Sequence, residues 1–178
     1  MNLVATLTDE LNQQGLWEDN LLLKRNEYLV QHGQLDTNLY LILEGSVRIF
    51  VMDGHDEHVI RFGYRDNIIT ALDAFITQKP TELFIQAIKK TSLKAISKSV
   101  FLDFVYGSLA NIKLWQTILG SLIHQQMERE MDLLTSSPVE RYHRVLARSP
   151  RLFQEIPNKH IASYLRMTPE TLSRIKKQ

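Results

Sequence analysis

The stretch Lys159-His160-Ile161-Ala162-Ser163-Tyr164-Leu165-Arg166-Met167-Thr168-Pro169-Glu170-Thr171-Leu172-Ser173-Arg174-Ile175 decides how the chain is read. Ile156-Pro157-Asn158 ahead of it is a start signal. Ile161, Ala162 and Leu165 then fall on one face of a two-turn helix. Arg166-Met167 makes a short connection, and Thr168-Pro169 opens a second helix with Thr168 as N-cap and Pro169 at the first helical position. Two short helices joined by about three residues form a helix-turn-helix pattern. In that motif the first residues of the second helix reach base edges in the major groove. An ordinary helical hairpin would have the same spacing, so charge has to separate the two.

Charge does so. From 137 to 178 there are nine Lys/Arg against three Asp/Glu, a net of +6, whereas residues 1–136 carry 12 against 17, a net of −5. An acidic body with a basic end is the distribution of a protein that meets nucleic acid with that end alone. Within the second helix, Glu170 can accept from cytosine N4 and Arg174 can fork onto guanine O6 and N7. Thr168, Pro169, Thr171, Ser173, Lys176 and Lys177 complete the expected DNA-binding set, the hydroxyls and lysines serving phosphates.

Upstream, Ser136-Ser137-Pro138 caps a helix that runs to about Arg148. Before it, Ile112, Trp115, Ile118, Leu119, Leu122, Ile123 and Met127 recur at three and four residues between Asn111 and Leu134. A helix of about 36 Å exceeds what a body of this size needs, so Ile112, Trp115, Leu119, Leu122 and Gln126 are expected to face a second copy. From Leu21 to about Ile96 the texture differs: Tyr28–Val30, Leu39–Leu43, Val47–Val51, His58–Phe62, Leu83–Ile85 and Leu93–Ile96 are short apolar runs separated by turn residues, with Asp53-Gly54 marking a hairpin. That spacing predicts an antiparallel β-roll. Residues 1–20 read as an amphipathic helix broken at Asp19-Asn20. The expected fold is α+β: a jelly-roll-like sensing domain with flanking helices over 1–110, a dimerisation helix over 111–136 and a helix-turn-helix domain over 137–178.

In this order the two halves resemble the Crp/Fnr family of bacterial regulators. The residues that carry the likeness are Tyr28-Leu29-Val30-Gln31-His32-Gly33, Leu39-Tyr40-Leu41-Ile42-Leu43-Glu44-Gly45-Ser46-Val47-Arg48, and Ile161–Leu165 with Thr168–Arg174. The resemblance implies a homodimer on double-stranded DNA, with RNA polymerase as a further partner. Gly33 and Gly45 fall where the family's roll turns. The family's cyclic AMP cassette is Gly-Glu and, about ten residues on, Arg followed by a small hydroxyl residue. Aligned on Pro80, this chain has Thr70-Ala71 and Thr81-Glu82 there, with Gln126 and Met127 where relatives offer hydroxyls to the base. Without the cation, cyclic AMP is not an expected effector; a different small molecule, or none, is left open. Arg166 stands where relatives place glycine, which implies a modified or strained turn. Arg151–Glu155 leaves little room for the hairpin that precedes the motif elsewhere, and no C-terminal wing is expected after Lys177.

The absence of cysteine excludes disulfides, cysteine-ligated clusters and cysteine nucleophiles; a haem held by histidine stays open. His55 and His58 flank the predicted hairpin but point to opposite faces, and no metal site is assigned. No phosphate loop, G-x-S-x-G or H-E-x-x-H occurs, and a cupin's histidine set is missing, so no enzyme is expected. With no apolar run of 18 residues and no leader pattern after Met1-Asn2, a cytoplasmic protein without a membrane contact is expected. The alternative is a ligand-binding module whose helix-turn-helix packs on a protein partner.

Overall fold

A computed structural model describes residues 3–177; Met1, Asn2 and Gln178, which the sequence-based ranges include, lie outside it. Helix α1 (Leu3–Gln13) leads into strands β1 (Asp19–Leu23), β2 (Tyr28–Val30), β3 (Leu39–Glu44), β4 (Ser46–Asp53), β5 (Asp56–Tyr64) and β6 (Ile68–Ile69). A short helix α2 (Leu72–Thr77) separates these from β7 (Phe84–Ala87) and β8 (Thr91–Ile96). The rest is helical: α3 (Lys98–Tyr106), α4 (Leu109–Leu134), α5 (Pro138–Arg148), α6 (Pro150–Glu155), α7 (Asn158–Tyr164) and α8 (Pro169–Ile175).

The strands form two four-stranded antiparallel sheets, ordered β1-β8-β3-β6 and β2-β7-β4-β5. Their inner faces enclose Val30, Ile42, Val47, Ile85 and Leu93. This is the expected jelly-roll-like β-roll. Four elements go beyond the sequence reading. β1 begins at Asp19, where a break was expected. β6 and α2 lie in a stretch, 63–82, to which the sequence pattern assigns no element, and Arg151–Glu155 belongs to a helix, α6, started by Pro150. The hairpin loop is Gly54-His55, one residue later than the Asp53-Gly54 signal, since Asp53 pairs with Asp56. Gly54 alone of the two has positive φ, +60°, which fits a type II′ turn with glycine first.

Gly45 shows why the β3–β4 corner takes glycine. Its φ is +96°, and a Cβ there would sit 2.4 Å from Thr91 Oγ1 and 2.5 Å from the Lys90 carbonyl. Thr91 uses that proximity, accepting from the Ser46 amide at 3.1 Å.

A register shift between Ile49 and Phe50 shapes the outer face of the second sheet. Ile49 pairs with Arg61 and Phe50 with Val59, so Ile60 is the extra residue of a bulge. The bulge changes the parity of β5 and places Val59 and Phe62 together on the outer side. There they join Phe50 and Ile88 in one core with Tyr142, Val145, Leu152, Ile161, Leu165, Leu172 and Ile175. The C-terminal helices therefore share apolar packing with the roll. A third cluster, of Leu7, Leu11, Phe101, Phe104 and Ile118, binds α1 and α3 to the first turns of α4.

Candidate nucleic-acid interface and effector pocket

Residues 158–175 fold as two helices because both ends of the connection are specified. Ile161, Ala162 and Leu165 are fully buried, as their spacing predicts. The α7 terminus closes by a pair of bonds, Met167 N–H to the Ala162 carbonyl and Arg166 N–H to the Ser163 carbonyl, each 3.0 Å. That is a Schellman closure, which requires a left-handed residue next to last. Arg166 supplies it at φ +53°. The turn is thus the usual one, held by arginine at the cost of side-chain strain. Thr168 then caps α8, its Oγ1 accepting from the Thr171 amide at 3.2 Å, with Pro169 in the first turn.

Leu172 and Ile175 face inward, and the opposite face of α8 is open. Pro169, Glu170, Ser173, Arg174 and Lys177 line a shallow groove of about 480 Å³ along it. Of the expected DNA-binding residues, Thr168, Pro169, Glu170, Ser173, Arg174, Lys176 and Lys177 are exposed and Thr171 is half-buried. Among the described residues Arg174 and Lys177 make no side-chain hydrogen bond or ion pair, whereas Lys176 donates to Asn158 Oδ1 at 3.0 Å. Its own backbone amide and the Thr168 hydroxyl hold the Glu170 carboxyl below the usual range, keeping it an acceptor.

The basic excess of the C-terminal segment is distributed differently from its appearance in the sequence. Arg144 and Arg148 bind the two oxygens of Asp132 of α4, which has no solvent exposure, Arg144 at 3.1 Å; Arg148 also reaches Glu128 at 3.3 Å. Arg141, 7% exposed, donates to the carbonyls of Thr135 (2.7 Å) and Arg166 (3.3 Å). Arg151 lies over the Tyr64 ring and reaches Asp66 at 3.5 Å. Among the described residues the exposed C-terminal cations without an ion pair are therefore Lys159, Arg166, Arg174, Lys176 and Lys177, on α7, the turn and the C-terminal end of α8.

The pocket positions expected from the cassette lie at α2 and the loop before β7. Ala71 is fully buried at the start of α2, and the buried Thr70 hydroxyl has no hydrogen-bond partner among the described residues. Thr81 is buried; its amide bonds the Gln34 carbonyl and its carbonyl accepts from Gly33, each at 2.8 Å. A residue the sequence reading passed over closes the site. Asp73 of α2 accepts from the Thr81 hydroxyl at 2.7 Å and from the amides of Glu82 and Ala74, each at 2.8 Å. Partial burial pushes this carboxyl up, but those hydrogen bonds outweigh it and hold it below the usual range. A fixed internal anion thus occupies the amides at the threonine-glutamate loop. The signal was an acidic residue early in a helix, too short to be seen by periodicity. Gln126 and Met127, the other two pocket candidates, are exposed on α4.

Helix α4 also corrects the expected stripe. Ile112, Trp115 and Leu122 pack within the chain against the α1–α3 cluster, Trp115 edge-on to Phe101 at 5.0 Å. The exposed large apolar positions of α4 are Leu109, Ile123, Met127, Met131, Leu133 and Leu134, of which Ile123, Met127, Met131 and Leu134, spaced four, four and three, form a stripe, with Leu119 half-buried and Gln126 exposed at the margin. The unpartnered face is rotated from the expected one because the first turns of α4 serve the chain's own core.

No helix among the described residues is long and apolar enough to cross a membrane. The cyclic nucleotide-binding domain family matches residues 21–106. No curated protein sequence matches the chain. Among solved structures, FixK2 from Bradyrhizobium japonicum has a TM-score of 0.74 at 19% identity, over 90% of this chain and 83% of that one. A CooA mutant from Carboxydothermus hydrogenoformans has 0.75 at 17%, over 99% and 83%. CLP, the c-di-GMP responsive global regulator of Xanthomonas campestris, has 0.68 at 14%, over 96% and 90%. At such identities the likeness is one of fold, and it extends along nearly the whole chain.

Proposed function

We propose that this chain, with the Crp/Fnr fold and a cyclic nucleotide-binding domain over residues 21–106, is a cytoplasmic, dimeric, sequence-specific DNA-binding transcription regulator whose pocket does not take cyclic AMP. The observation that carries it is the α8 face: a capped reading helix anchored on one side by Leu172 and Ile175, with Glu170, Ser173, Arg174 and Lys177 turned outward. Glu170 and Arg174 read base edges; Ser173, Lys176 and Lys177 contact phosphate.

Dimerisation follows from α4. Its 26 residues span about 39 Å, and Ile123, Met127, Met131 and Leu134 match the seam of a helix paired with its own copy. Two-fold symmetry then sets the two α8 helices in successive major grooves about 34–36 Å apart. RNA polymerase is the expected partner of the bound dimer. The pocket reading is supported by Asp73. A phosphate approaching the loop would meet a carboxylate where it needs donors, and Thr81 and Glu82 provide no cation. An effector, if the roll takes one, is of another chemical class.

Selection of duplexes from a random-sequence library by the purified full chain, with and without cyclic AMP, tests both parts. A palindrome enriched equally in both arms is the expected result. Enrichment only with cyclic AMP would overturn the pocket reading. No enrichment in either arm would favour the partner-binding alternative, which a linear log–log salt dependence of duplex affinity would in turn exclude.

A further inference from the structure

Behind the turn between α7 and α8 lies a buried cation that the reading face does not use. Arg129 of α4 is 6% exposed. Its Nη2 donates to the Tyr164 carbonyl, and its guanidinium carbon stands 3.6 Å from the centre of the Tyr164 ring. The carboxylate one turn along α4, Asp132, gives both oxygens to Arg144 and Arg148 of α5 instead. Arg129 Nη1 is buried and has no partner among the described residues. A desolvated guanidinium with an unused donor is an expensive element, and a methionine would fill the volume at lower cost.

The geometry gives it a task. A helix end leaves carbonyls that need donors. In α7 the carbonyls of Ile161, Ala162 and Ser163 receive backbone amides from the closure itself. The Tyr164 carbonyl receives Arg129 from α4, and the Arg166 carbonyl receives Arg141 from α5. Tyr164 also meets Phe62 of β5, ring centres 5.4 Å apart. The turn that aims α8 is therefore fixed from the long helix, from α5 and from the roll, and Arg129 joins it to the element expected to pair the two copies.

We propose that Arg129 is a positioning residue for DNA reading: it registers the α7–α8 turn on the long helix, so that the separation and tilt of the two α4 helices set the spacing of the two readers. This rests on the DNA-binding reading above and adds to it the contact by which α4 controls α8. The guanidinium suits the role because it bonds the carbonyl and stacks on the ring at once, which an ammonium does not.

The test uses the full chain and three variants, R129M, R129K and Y164L. Hydrogen exchange is read first, since it needs no DNA. R129M should lose about tenfold or more of the protection at amides 165–172, the effect of a charge-assisted hydrogen bond, while β3, β4 and β8 keep theirs. R129K should recover only part of it, and Y164L, which keeps the carbonyl but removes the stacking ring, should fall between. The second readout is selection on inverted repeats of fixed half-site and variable spacer. R129M should accept a wider range of spacers with the same half-site preference, whereas a merely structural loss lowers affinity at every spacer alike. Unchanged exchange at 165–172 in R129M, or full rescue by R129K, would overturn the assignment. A narrow spacer preference retained by R129M would do the same. If the unmodified chain selects no duplex, the DNA-binding reading fails on its own account; exchange still decides whether Arg129 anchors the turn.

Discussion

At the α7–α8 turn an arginine stands in a left-handed position that suits glycine, and the backbone keeps its course; at the loop before β7 a threonine and a glutamate stand where the proposed resemblance puts an arginine and a small hydroxyl residue, and the side-chain chemistry is different. The difference lies in what each place asks of its residue. The turn is specified by backbone bonds among residues 161–167 and by carbonyls to which Arg129 and Arg141 donate, so the side chain at 166 is free to vary at a modest conformational cost. The loop's function would reside in the side chains themselves. With Thr81 hydrogen-bonded to Asp73, the same backbone amides serve the chain's own structure and not a visiting anion. Substitution is tolerated where geometry is over-determined and changes function where side-chain charge is the function.

The largest expected effect removes what over-determines the turn. Leu172→Ala takes a fully buried side chain from the core shared by α8 and β5 and should destabilise by about 2–5 kcal/mol. Because that core includes Phe50 and Phe62, calorimetry should show the roll and the C-terminal helices unfolding together; two separated transitions would break the picture of a jointly held turn. Next comes Arg174→Ala, exposed and unpaired, which should leave stability unchanged but cost about 1–3 kcal/mol of duplex affinity with relaxed preference at one base position. Duplex selection repeated on the variant checks it, and unchanged specificity would remove Arg174 as a base reader.

Asp73→Ala tests the other half of the comparison. Losing three partly solvated hydrogen bonds should cost about 1–2 kcal/mol at neutral pH. The sign with pH follows from the lowered folded value. The contribution is in place above the unfolded carboxyl's value near 4 and is lost as pH falls through the folded value below it. Urea titrations from pH 7 to 3 should therefore show wild type and variant converging at the acid end; curves that stay parallel would deny the carboxylate its role. The smallest effect is a gain. Arg166→Gly relieves the strain at φ +53° against a larger loss of chain entropy and should stabilise by about 0.5–1 kcal/mol, read as a small rise in Tm.

The sequence makes the punctuation legible. Ser137-Pro138 and Thr168-Pro169 start helices where those dipeptides place them, and Gly33 and Gly45 have the positive φ that their turns require. Ile161, Ala162 and Leu165 share a buried face because helical spacing is a local rule. What escapes is whatever depends on partners far along the chain. No local signal on the long helix marks Arg129 and Asp132, and only the arrival of α5 and α7 buries them. The α4 stripe reads one position out of phase because α1, more than 100 residues earlier, covers Trp115 and Ile118. Asp73 sits in a six-residue helix, shorter than any periodicity needs to declare itself.

The bulge at Ile60 has a consequence for how such a chain could be rearranged. By turning both Val59 and Phe62 outward it gives the β4–β5 hairpin two greasy sides, one for its own sandwich and one for the C-terminal helices. The two parts are therefore not interchangeable modules. A chimera that grafts a foreign reader onto this roll must bring its own match for Phe50, Val59, Phe62 and Ile88. The roll expressed without residues 137–178 would present those four side chains to water as a sticky patch, whereas a one-residue deletion at Ile60 would close the bulge and leave Val59 and Phe62 on the same face, two residues apart.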